Sequence, residues 1–201
     1  MFDYQNRWSA DPDASLSLAK RCAQQALEND PNEPRAHCIA GLAALFERDL
    51  DQAEAEIRLA LSLNPNFAMA HNMLGSIHNF SGRPLEAIPE IEQAMRLDPA
   101  DTSQFLHFLG MAYLLADKYE TATAVLRQRI AVVPSTDFSR TLLASALGHL
   151  GEIEAAHRAW TELQKINPNY AFADHLGRLP FKRKEDAERI AQGLRQAGLL
   201  S

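Results

Sequence analysis

The fold is decided by one stretch of sequence, residues 71–99, which reads HNMLGSIHNFSGRPLEAIPEIEQAMRLDP. In its middle, the run Ser81–Pro84 combines a glycine and a proline, residues that commonly end one helix and begin the next. Small residues stand on both sides of this turn, Gly75 before it and Ala87 after it. Because such small residues let two helix backbones approach closely, Ile91 is expected to pack over their crossing. The stretch therefore predicts two α-helices that are joined by a short turn and packed against each other.

The same pattern recurs along the chain with a period of 34 or 35 residues. A proline closes each unit, at Pro31, Pro65, Pro99, Pro134 and Pro168. The first small position is occupied by Gly41, Gly75, Gly110 and Ala144, and the second by Ala53, Ala87, Ala122 and Ala156. The bulky apolar position four residues later is occupied by Ile57, Ile91, Leu126 and Trp160. Such regular repetition predicts a stack of similar helix pairs, each burying its apolar side against its neighbours.

This pattern resembles the tetratricopeptide repeat, in which W-x2-L-G-x2-Y is followed by A-x3-F and then P over about 34 residues. Residues 71–99 read H-x2-L-G-x2-H, A-x3-I and P, and residues 106–134 read L-x2-L-G-x2-Y, A-x3-L and P. His37, His71 and Arg140 depart from the pattern, since they stand where it prefers an aromatic residue. The resemblance covers roughly residues 14–168. It implies an all-α fold, a right-handed superhelix of about five helix-turn-helix repeats.

The two ends of the array are expected to differ from its middle. Residues 15–29 have the pattern of the second helix of a pair, without a regular first helix before them. We therefore assign residues 1–168 to a repeat array with an irregular first unit, and residues 169–201 to C-terminal capping helices. A short helix is predicted from Ala171 to about Arg178. A last, amphipathic helix is predicted near Lys184 to Ala197, as a cap on the apolar side of the final repeat.

Composition and charge limit the possible function classes. Apolar residues make up 46% of the chain and charged residues 23%, the balance of an ordinary globular protein. The formal net charge is −6, and Lys and Arg are scattered among acidic residues, so nucleic acid is not expected as a partner. No apolar run reaches the roughly 18–20 residues of a membrane span, and Met1–Arg7 lacks the apolar stretch of a secretory signal. With only two cysteines, Cys22 and Cys38, a cytoplasmic location is predicted.

The histidines raise the question of a metal site. There are seven of them, His37, His71, His78, His107, His149, His157 and His175. His71 and His78 are two turns apart on one predicted helix, but both occupy positions that the repeat uses for packing. A metal site needs further ligands with supporting hydrogen bonds, and neither a metalloprotease helix motif nor a paired-cysteine zinc spacing is present. We therefore predict no metal and no other cofactor.

Nothing in the sequence predicts an enzyme. The pattern contains no Gly-rich phosphate loop, no nucleophile elbow and no strands that would carry them. Glutamates do cluster on predicted second helices, for example Glu54 with Glu56, and Glu90 with Glu92. Paired carboxylates can serve as acid and base, but without a partner group or a cleft a solvated helix face is the ordinary explanation. Any catalytic activity is expected to reside in a domain absent from this chain.

The surface most suited to function is the concave wall of the superhelix, built from first-helix side chains that packing between units leaves available. The predicted wall consists of Arg35, Cys38, Leu42, Leu45, Met69, Asn72, Ser76, Asn79, Gln104, His107, Met111, Leu114, Phe138, Thr141, Ser145 and His149. This mixture suits a protein or peptide partner, with Asn72 and Asn79 reaching the peptide backbone and Met or Leu receiving its side chains. Two other interpretations remain open: the groove holds only solvent and no partner, or it is filled by another part of the parent protein.

One binding mode of the family is not expected here. Chaperone-adaptor tetratricopeptide domains hold a C-terminal carboxylate with Lys, Arg and Asn on successive first helices. In this chain the groove positions of the best-matched units carry Cys38, Leu42, Asn72, Ser76, Gln104 and His107. Only Asn72 suits such a clamp, and Arg35 is a lone cation at one end of the wall. A carboxylate would therefore find no cluster of cations to replace its hydration.

The tail, residues 179–199, reads LPFKRKEDAERIAQGLRQAGL and resembles the C-terminal tetratricopeptide region of bacterial class III adenylate cyclases and related winged-helix regulators. In those proteins a catalytic or DNA-binding domain precedes the array. The resemblance implies a non-catalytic protein–protein interaction module, the regulatory or scaffolding part of a larger bacterial signalling protein. No cyclase residue is carried over, because nothing of the mixed αβ catalytic domain is present. The alternative is a structural role, in which the array packs on its own parent protein or forms a homodimer.

Overall fold

The computed structural model describes residues 12–100 and 102–200, and every regular element within them is an α-helix. In chain order these are α1 (Pro12–Asn29), α2 (Pro34–Phe46), α3 (Leu50–Leu63), α4 (Ala68–Phe80), α5 (Pro84–Leu97), α6 (Thr102–Leu115), α7 (Tyr119–Val132), α8 (Phe138–His149), α9 (Ile153–Ile166), α10 (Phe172–Arg178) and α11 (Lys184–Gln196). None of these described helices is long and apolar enough to cross a membrane. The irregular opening of the first unit lies outside the described residues. The predicted all-α class is confirmed.

The helices from α2 to α9 form four consecutive pairs. Within each pair the two helices pack together, α2 on α3, α4 on α5, α6 on α7 and α8 on α9, and α3, α5 and α7 each also pack on the first helix of the next pair. The first helices α2, α4, α6 and α8 contact one another in succession, so they line one continuous side of the stack. Helix α1 packs on α2 as the second helix of the first unit. This is the superhelical stack of hairpins that the 34-residue period predicted.

The small residues lie where the two helices of a pair cross. Ala87 and Ile91 have no exposed surface, and Gly75 is buried against them. A Cβ atom added at Gly75 would overlap Cγ1 of Ile91 and would lie 3.1 Å from the carbonyl oxygen of Ala87. Gly41 meets Ile57, and Gly110 meets Leu126, in the same way. The close crossing is therefore a repeated contact, and in these three units it requires the absence of a side chain at the first position.

The turns between paired helices share one backbone geometry. Each reverses through a residue in the left-handed region, Arg48, Gly82, Asp117 or Gly151, with φ of 65°, 76°, 59° and 74°. The next N–H then donates to a carbonyl of the helix just ended, as Arg83 does to His78 over 2.9 Å. This is the Schellman arrangement that satisfies the last carbonyls of a helix. Two turns use glycine, which adopts this conformation without steric cost, and in the other two Arg48 and Asp117 adopt it despite their side chains.

The two histidines that depart from the repeat pattern make equivalent hydrogen bonds in successive units. In the ring of His37, Nδ1 lies 2.7 Å from Oε2 of Glu56 and Nε2 lies 2.9 Å from the carbonyl oxygen of Pro31. In the ring of His71, the same atoms lie 2.7 Å from Glu90 and 2.9 Å from the carbonyl oxygen of Pro65. Each ring therefore joins the proline turn that precedes its helix to the second helix of the pair.

Arg140 takes the same position in a later unit and reaches the same acceptor. Its Nη2 donates to the carbonyl oxygen of Pro134 over 2.9 Å. In three units a polar side chain thus replaces the aromatic residue of the pattern and binds the carbonyl of the repeat proline. His37, His71 and Arg140 thus contact the proline turn through hydrogen bonds, where an aromatic residue would contact it through apolar packing.

The geometry around His37 favours its charged form. A carbonyl can only accept a hydrogen bond, so Nε2 must donate to Pro31, and an ionised Glu56 requires Nδ1 to donate as well. Burial acts to lower the pKa of His37, but the hydrogen bonds to Glu56 and Pro31 outweigh it and raise the pKa above its ordinary value of 6.5.

Replacing His37 by phenylalanine should remove a pH-dependent contribution to stability. Because the pKa is raised by folding, the contribution is fully present below the unfolded pKa of 6.5 and is lost as the pH rises through the folded pKa. In urea denaturation, the free energy of unfolding of the wild type relative to His37→Phe should be larger at about pH 6 than at about pH 8. The control Glu56→Gln keeps an acceptor but removes the charge, and should lose most of this dependence. A difference between wild type and His37→Phe that is constant with pH would show that the ring does not gain a proton on folding.

Substitution of Gly75 by leucine should overpack the crossing between α4 and α5. We expect the free energy of unfolding to fall by about 1–3 kcal/mol, because neither Ile91 nor the Ala87 backbone can move away freely. Thermal unfolding followed by circular dichroism measures this. The matched control is Gly177→Ala, where an added Cβ meets no atom within 4 Å and a much smaller change is expected. An unchanged melting temperature for Gly75→Leu would contradict the close crossing.

Candidate functional site

The last part of the chain turns back over the concave side of the stack. Helix α11 packs along α8, a first helix, and also touches α6. The last helix therefore does cover apolar surface of the final pair, as predicted, but it lies on the inner face of the array and not only at its end. The segment that leads into it reaches α4, where the N–H of Lys182 donates to the carbonyl oxygen of Phe80 over 2.8 Å. The rings of Phe181 and Phe80 meet edge to face with centroids 5.0 Å apart.

The contact between α8 and α11 is a second close helix crossing. An added Cβ at Gly148 would overlap the carbonyl oxygen of Gly193, and one at Gly193 would overlap the backbone and hydroxyl of Ser145. The Ser145 hydroxyl donates to the carbonyl oxygen of Ile190 over 2.8 Å, and neither residue has exposed surface. A glycine on each helix, Gly148 and Gly193, thus lets the two backbones come into contact, as small residues do at the crossings of the paired helices.

Polar contacts hold the tail at both sides of this crossing. Nε2 of His149 lies 2.9 Å from the carbonyl oxygen of Arg189, an acceptor to which the ring must donate. The guanidinium of Arg189 donates in turn to the carbonyl oxygen of Leu115 over 2.7 Å and pairs with Asp117 at 3.0 Å. These contacts join the tail to the turn between α6 and α7.

The predicted wall residues of α8 all take part in contacts within the chain. Ser145 and His149 bind the tail, as above. The ring of Phe138 stacks on that of His175 with centroids 4.4 Å apart, and the Thr141 hydroxyl donates to the hydroxyl of Tyr170 over 3.0 Å. This half of the concave wall is therefore filled by another part of the same chain, one of the two alternatives left open by the sequence.

Several predicted wall residues of the inner helices are buried in packing. Met111 and Leu114 have no exposed surface, and neither has Asn79, whose amide donates to the carbonyl oxygen of Phe108 over 3.0 Å. Asn79 therefore links α4 to α6 and does not reach the groove surface. Cys38 is also buried, which raises the pKa of its thiol to about 12.

His107 is a further wall residue held by its neighbours. Its Nδ1 lies 2.8 Å from the hydroxyl of Ser139, and its ring packs edge to face on Phe108. Burial, with smaller contributions from Arg129 and His175, lowers the pKa of His107 to about 3. The ring is therefore neutral at physiological pH, and it acts in the contact between α6 and α8.

The first half of the concave face stays open and contains a cavity of about 230 Å³. It is lined by Leu42, Leu45, Phe46, Met69, Asn72, Met73, Ser76, Phe80, Gln104 and Phe108, from helices α2, α4 and α6. We call this the N-terminal cavity. Six of its residues belong to the predicted wall: Leu42, Leu45, Met69, Asn72, Ser76 and Gln104. Arg35, at the exposed start of α2, does not line it.

The four lining residues that sequence reasoning missed follow a simple rule. Phe46, Met73, Phe80 and Phe108 each lie four positions after a predicted wall residue on the same helix. Residues four apart lie one above the other on the same helix face. A wall that also included the residue four positions after each predicted wall residue would therefore have contained them. The spacing of four residues is visible in the sequence, but the predicted wall did not include these positions.

Asn72 is the polar group of this cavity whose hydrogen bonding is incomplete. The residue is 2% exposed, and its Oδ1 has no hydrogen-bond partner within the part of the chain that the structure describes. The neighbouring Ser76 hydroxyl already donates to the carbonyl oxygen of Met73 over 2.8 Å. A buried polar atom without a partner costs about 1–3 kcal/mol, and this oxygen has essentially no accessible surface through which a group bound in the cavity could pair with it.

The other candidate groups do not assemble into a reactive site. Across residues 12–100 and 102–200, no three His, Cys, Asp or Glu side chains come together as metal ligands. His78, which shares a helix with His71, is buried, and burial together with Arg83 lowers its pKa. Glu54, predicted to lie on a solvated face, pairs with Arg58 and Arg83 at the surface between α3 and α5.

The model of the tetratricopeptide repeat family matches the sequence twice, over residues 15–66 and 40–102. With the helical hairpins described above, this decides the assignment. The chain contains tetratricopeptide repeats, which the family model places within residues 15–102. Proteins built from tetratricopeptide repeats are generally non-catalytic scaffolds for protein–protein interaction.

Solved structures share the tetratricopeptide fold of this chain at low sequence identity. PilW, a type IV pilus biogenesis factor, is 20% identical with a TM-score of 0.73, over 92% of this chain and 83% of PilW. YrrB is 18% identical with a TM-score of 0.61, over 87% of this chain and 90% of YrrB. Among curated proteins, the BBSome complex member BBS4 of Mus musculus is 31% identical over 144 residues, which is 68% of this chain. The chain spans 28% of the length of that relative.

Replacing Gly193 by leucine should detach α11 from the tetratricopeptide array. The side chain would overlap Ser145 across the helix crossing, so we expect the free energy of unfolding to fall by about 1–3 kcal/mol. Hydrogen exchange should accelerate in residues 184–196, while α2 to α5 keep their protection. Gln192→Leu, at the exposed neighbouring position, is the control and should leave exchange unchanged. Equal protection of α11 in Gly193→Leu and wild type would mean that the crossing does not hold the tail.

Proposed function

We propose that this protein is a non-catalytic interaction module that binds a peptide segment of a partner protein on the open half of its concave face. The observation that carries the proposal is the N-terminal cavity, an open apolar cavity on successive first helices with a buried and incompletely bonded amide, Asn72. Peptide recognition commonly uses such a surface, where apolar pockets receive side chains and polar groups fix their orientation.

The chemistry of the lining supports an uncharged, apolar segment. None of the residues that line the N-terminal cavity carries a charge. Met69 and Met73 have flexible, polarisable side chains that adapt to differently shaped apolar groups. A carboxylate clamp is not supported, because a bound carboxylate would meet no Lys or Arg in the lining.

The position of the tail supports a short binding footprint. Helix α11 covers α8, and the contact between Phe181 and Phe80 closes the open face on the tail side. A segment bound here would therefore contact α2, α4 and α6 and would end at the tail. YrrB, which shares the fold, is described as a tetratricopeptide-repeat protein with an unusual peptide-binding site. We extend peptide binding from YrrB to this chain as part of the proposal.

Filling the N-terminal cavity should abolish peptide binding without unfolding the array. Gln104 is half-buried in its lining, so Gln104→Trp places a large ring in the cavity. For peptides selected by phage display on the wild type, we expect the affinity measured by calorimetry to fall about tenfold or more, as for loss of a central pocket. The matched control is Gln128→Trp on the exposed face of α7, which should bind as the wild type does. Equal binding by Gln104→Trp would place the site elsewhere.

A finer proposal concerns the protein to which the array belongs. We propose that it is the C-terminal regulatory or scaffolding part of a larger bacterial signalling protein such as an adenylate cyclase, located in the cytoplasm. The support is the resemblance of residues 179–199 to the tails of such proteins. Reading the complete gene tests this, since a catalytic or DNA-binding domain should be encoded before residue 1. A reading frame without such a domain would remove the proposal.

The alternative role is structural, with the open half of the groove covered by the parent protein or by a second copy. The same apolar lining would then serve a homodimer contact. Sedimentation of the wild type and of Gln104→Trp separates the two roles. A concentration-dependent dimer that Gln104→Trp converts to a monomer favours self-association, and a monomer that binds selected peptides favours recognition.

A further inference from the structure

Residues 177–193, which we call the return segment, bind two of the turns between paired helices through the residue with left-handed backbone geometry. At the α2–α3 turn, Nη2 of Arg48 donates to the carbonyl oxygen of Gly177 over 2.7 Å. At the α6–α7 turn, the carboxylate of Asp117 pairs with the guanidinium of Arg189 at 3.0 Å. The left-handed conformation disfavours residues with a Cβ atom, whereas glycine adopts it without steric cost. The contacts with the return segment explain why these two turns carry side chains.

The turn between these two accommodates the return segment in the opposite way. At the α4–α5 turn the left-handed residue is Gly82, and a Cβ atom added there would overlap Nε of Arg183. The Arg183 guanidinium is held in this place by two hydrogen bonds to Asp186, over 2.8 and 2.6 Å. Asp186 itself has no exposed surface. Glycine at this turn therefore leaves room for a fixed side chain of the return segment.

The return segment meets the three turns in the order of the stack. Gly177 lies at the first turn, Arg183 at the second and Arg189 at the third. Helix α11 begins directly after Arg183, and six residues of an α-helix rise about 9 Å. The first helices α4 and α6 are in contact, and packed helices lie about 8–10 Å apart. The rigid helix α11 therefore matches one step of the stack in length.

The fourth turn, between α8 and α9, has the same geometry without this contact. Gly151 has a φ of 74°, and no atom of the described residues lies within 4 Å of a Cβ added there. Helix α8 instead meets the return segment inside the helix, where the Ser145 hydroxyl donates to the carbonyl oxygen of Ile190. The features of the first three turns thus follow the return segment and are not general to this type of turn.

We infer that the return segment is a strap that fixes the spacing of the helix pairs and with it the curvature of the concave face. Each pair of a repeat array contacts only its neighbours, so small changes at each contact add up along the stack. The strap joins the turns of the first three pairs to the first helix of the fourth through one continuous segment. It therefore holds α2, α4 and α6, which line the N-terminal cavity, in one arrangement before any partner binds.

The experiment is a distance measurement by electron paramagnetic resonance between spin labels on the first and the last pair of the full chain. Ala55→Cys on α3 and Gln164→Cys on α9 place the labels at exposed positions. Cys22→Ser removes the exposed native thiol, while Cys38 is buried and out of reach of the label. We expect a single narrow distance distribution for this labelled parent.

Removing two of the contacts should loosen the strap. Arg48→Gly and Asp117→Gly, combined in the labelled parent, place at each turn a residue that adopts the left-handed geometry without strain, so the hairpins should stay folded. Because the return segment then loses its contacts to these side chains, we expect the distance distribution to widen. The matched control is Gly151→Asn at the fourth turn, since asparagine tolerates the same geometry, and it should give the distribution of the parent.

The outcomes are decisive in both directions. If the double variant keeps the narrow distribution of the parent, or if Gly151→Asn widens it equally, the strap inference is overturned. Circular dichroism checks folding, and if the double variant does not fold, Arg189→Gln removes the third contact from the side of the return segment and the same two results decide. No peptide is present in this experiment, so its result is independent of the proposed peptide binding.

Discussion

The whole structure depends on close helix crossings at residues with little or no side chain. Where Gly75 meets Ile91, the absence of a Cβ lets two helices of a pair touch through backbone and one bulky apolar group. The same contact, repeated every 34 or 35 residues, makes each hairpin the template for the next. Dense packing at the crossing leaves the outer helix faces free for charge and the inner faces free for binding. The curvature of the array and its concave groove both follow from these helix crossings.

The same type of contact also decides how much of the groove is available. Gly148 and Gly193 bring α11 onto the concave side, where the tail satisfies the polar groups of α8. The chain thus supplies its own occupant for one half of the concave wall. In the other half, an apolar cavity lined by α2, α4 and α6 remains uncovered by the described part of the chain. Recognition by this array is accordingly expected to be local, at one deep position, and not spread over the full length of the superhelix.

Much of the fold and part of the site could be predicted from the sequence. The helix pairs, their small crossing positions and the turns are visible because each depends on residues close together in the chain. Six of the ten residues that line the N-terminal cavity were predicted, and the missed ones lie four positions further along the same helices. The hydrogen-bonding role of His37 was not predicted, since its partner Glu56 belongs to the next helix and was interpreted as part of a solvated face.

The repeat architecture follows from the amino-acid pattern alone, because a periodic pattern encodes contacts within one unit and between neighbours. Which half of the groove is occupied depends on contacts between parts of the chain that are far apart in sequence. Arg189 reaches Leu115 across 74 positions of the chain, and Ser145 reaches Ile190 across 45. Contacts at such separations follow no period, and their formation depends on where the preceding turn directs the tail. Packing between the first helices also buries Asn79 and leaves the cavity beside Asn72 open. Neither result follows from the repeat pattern.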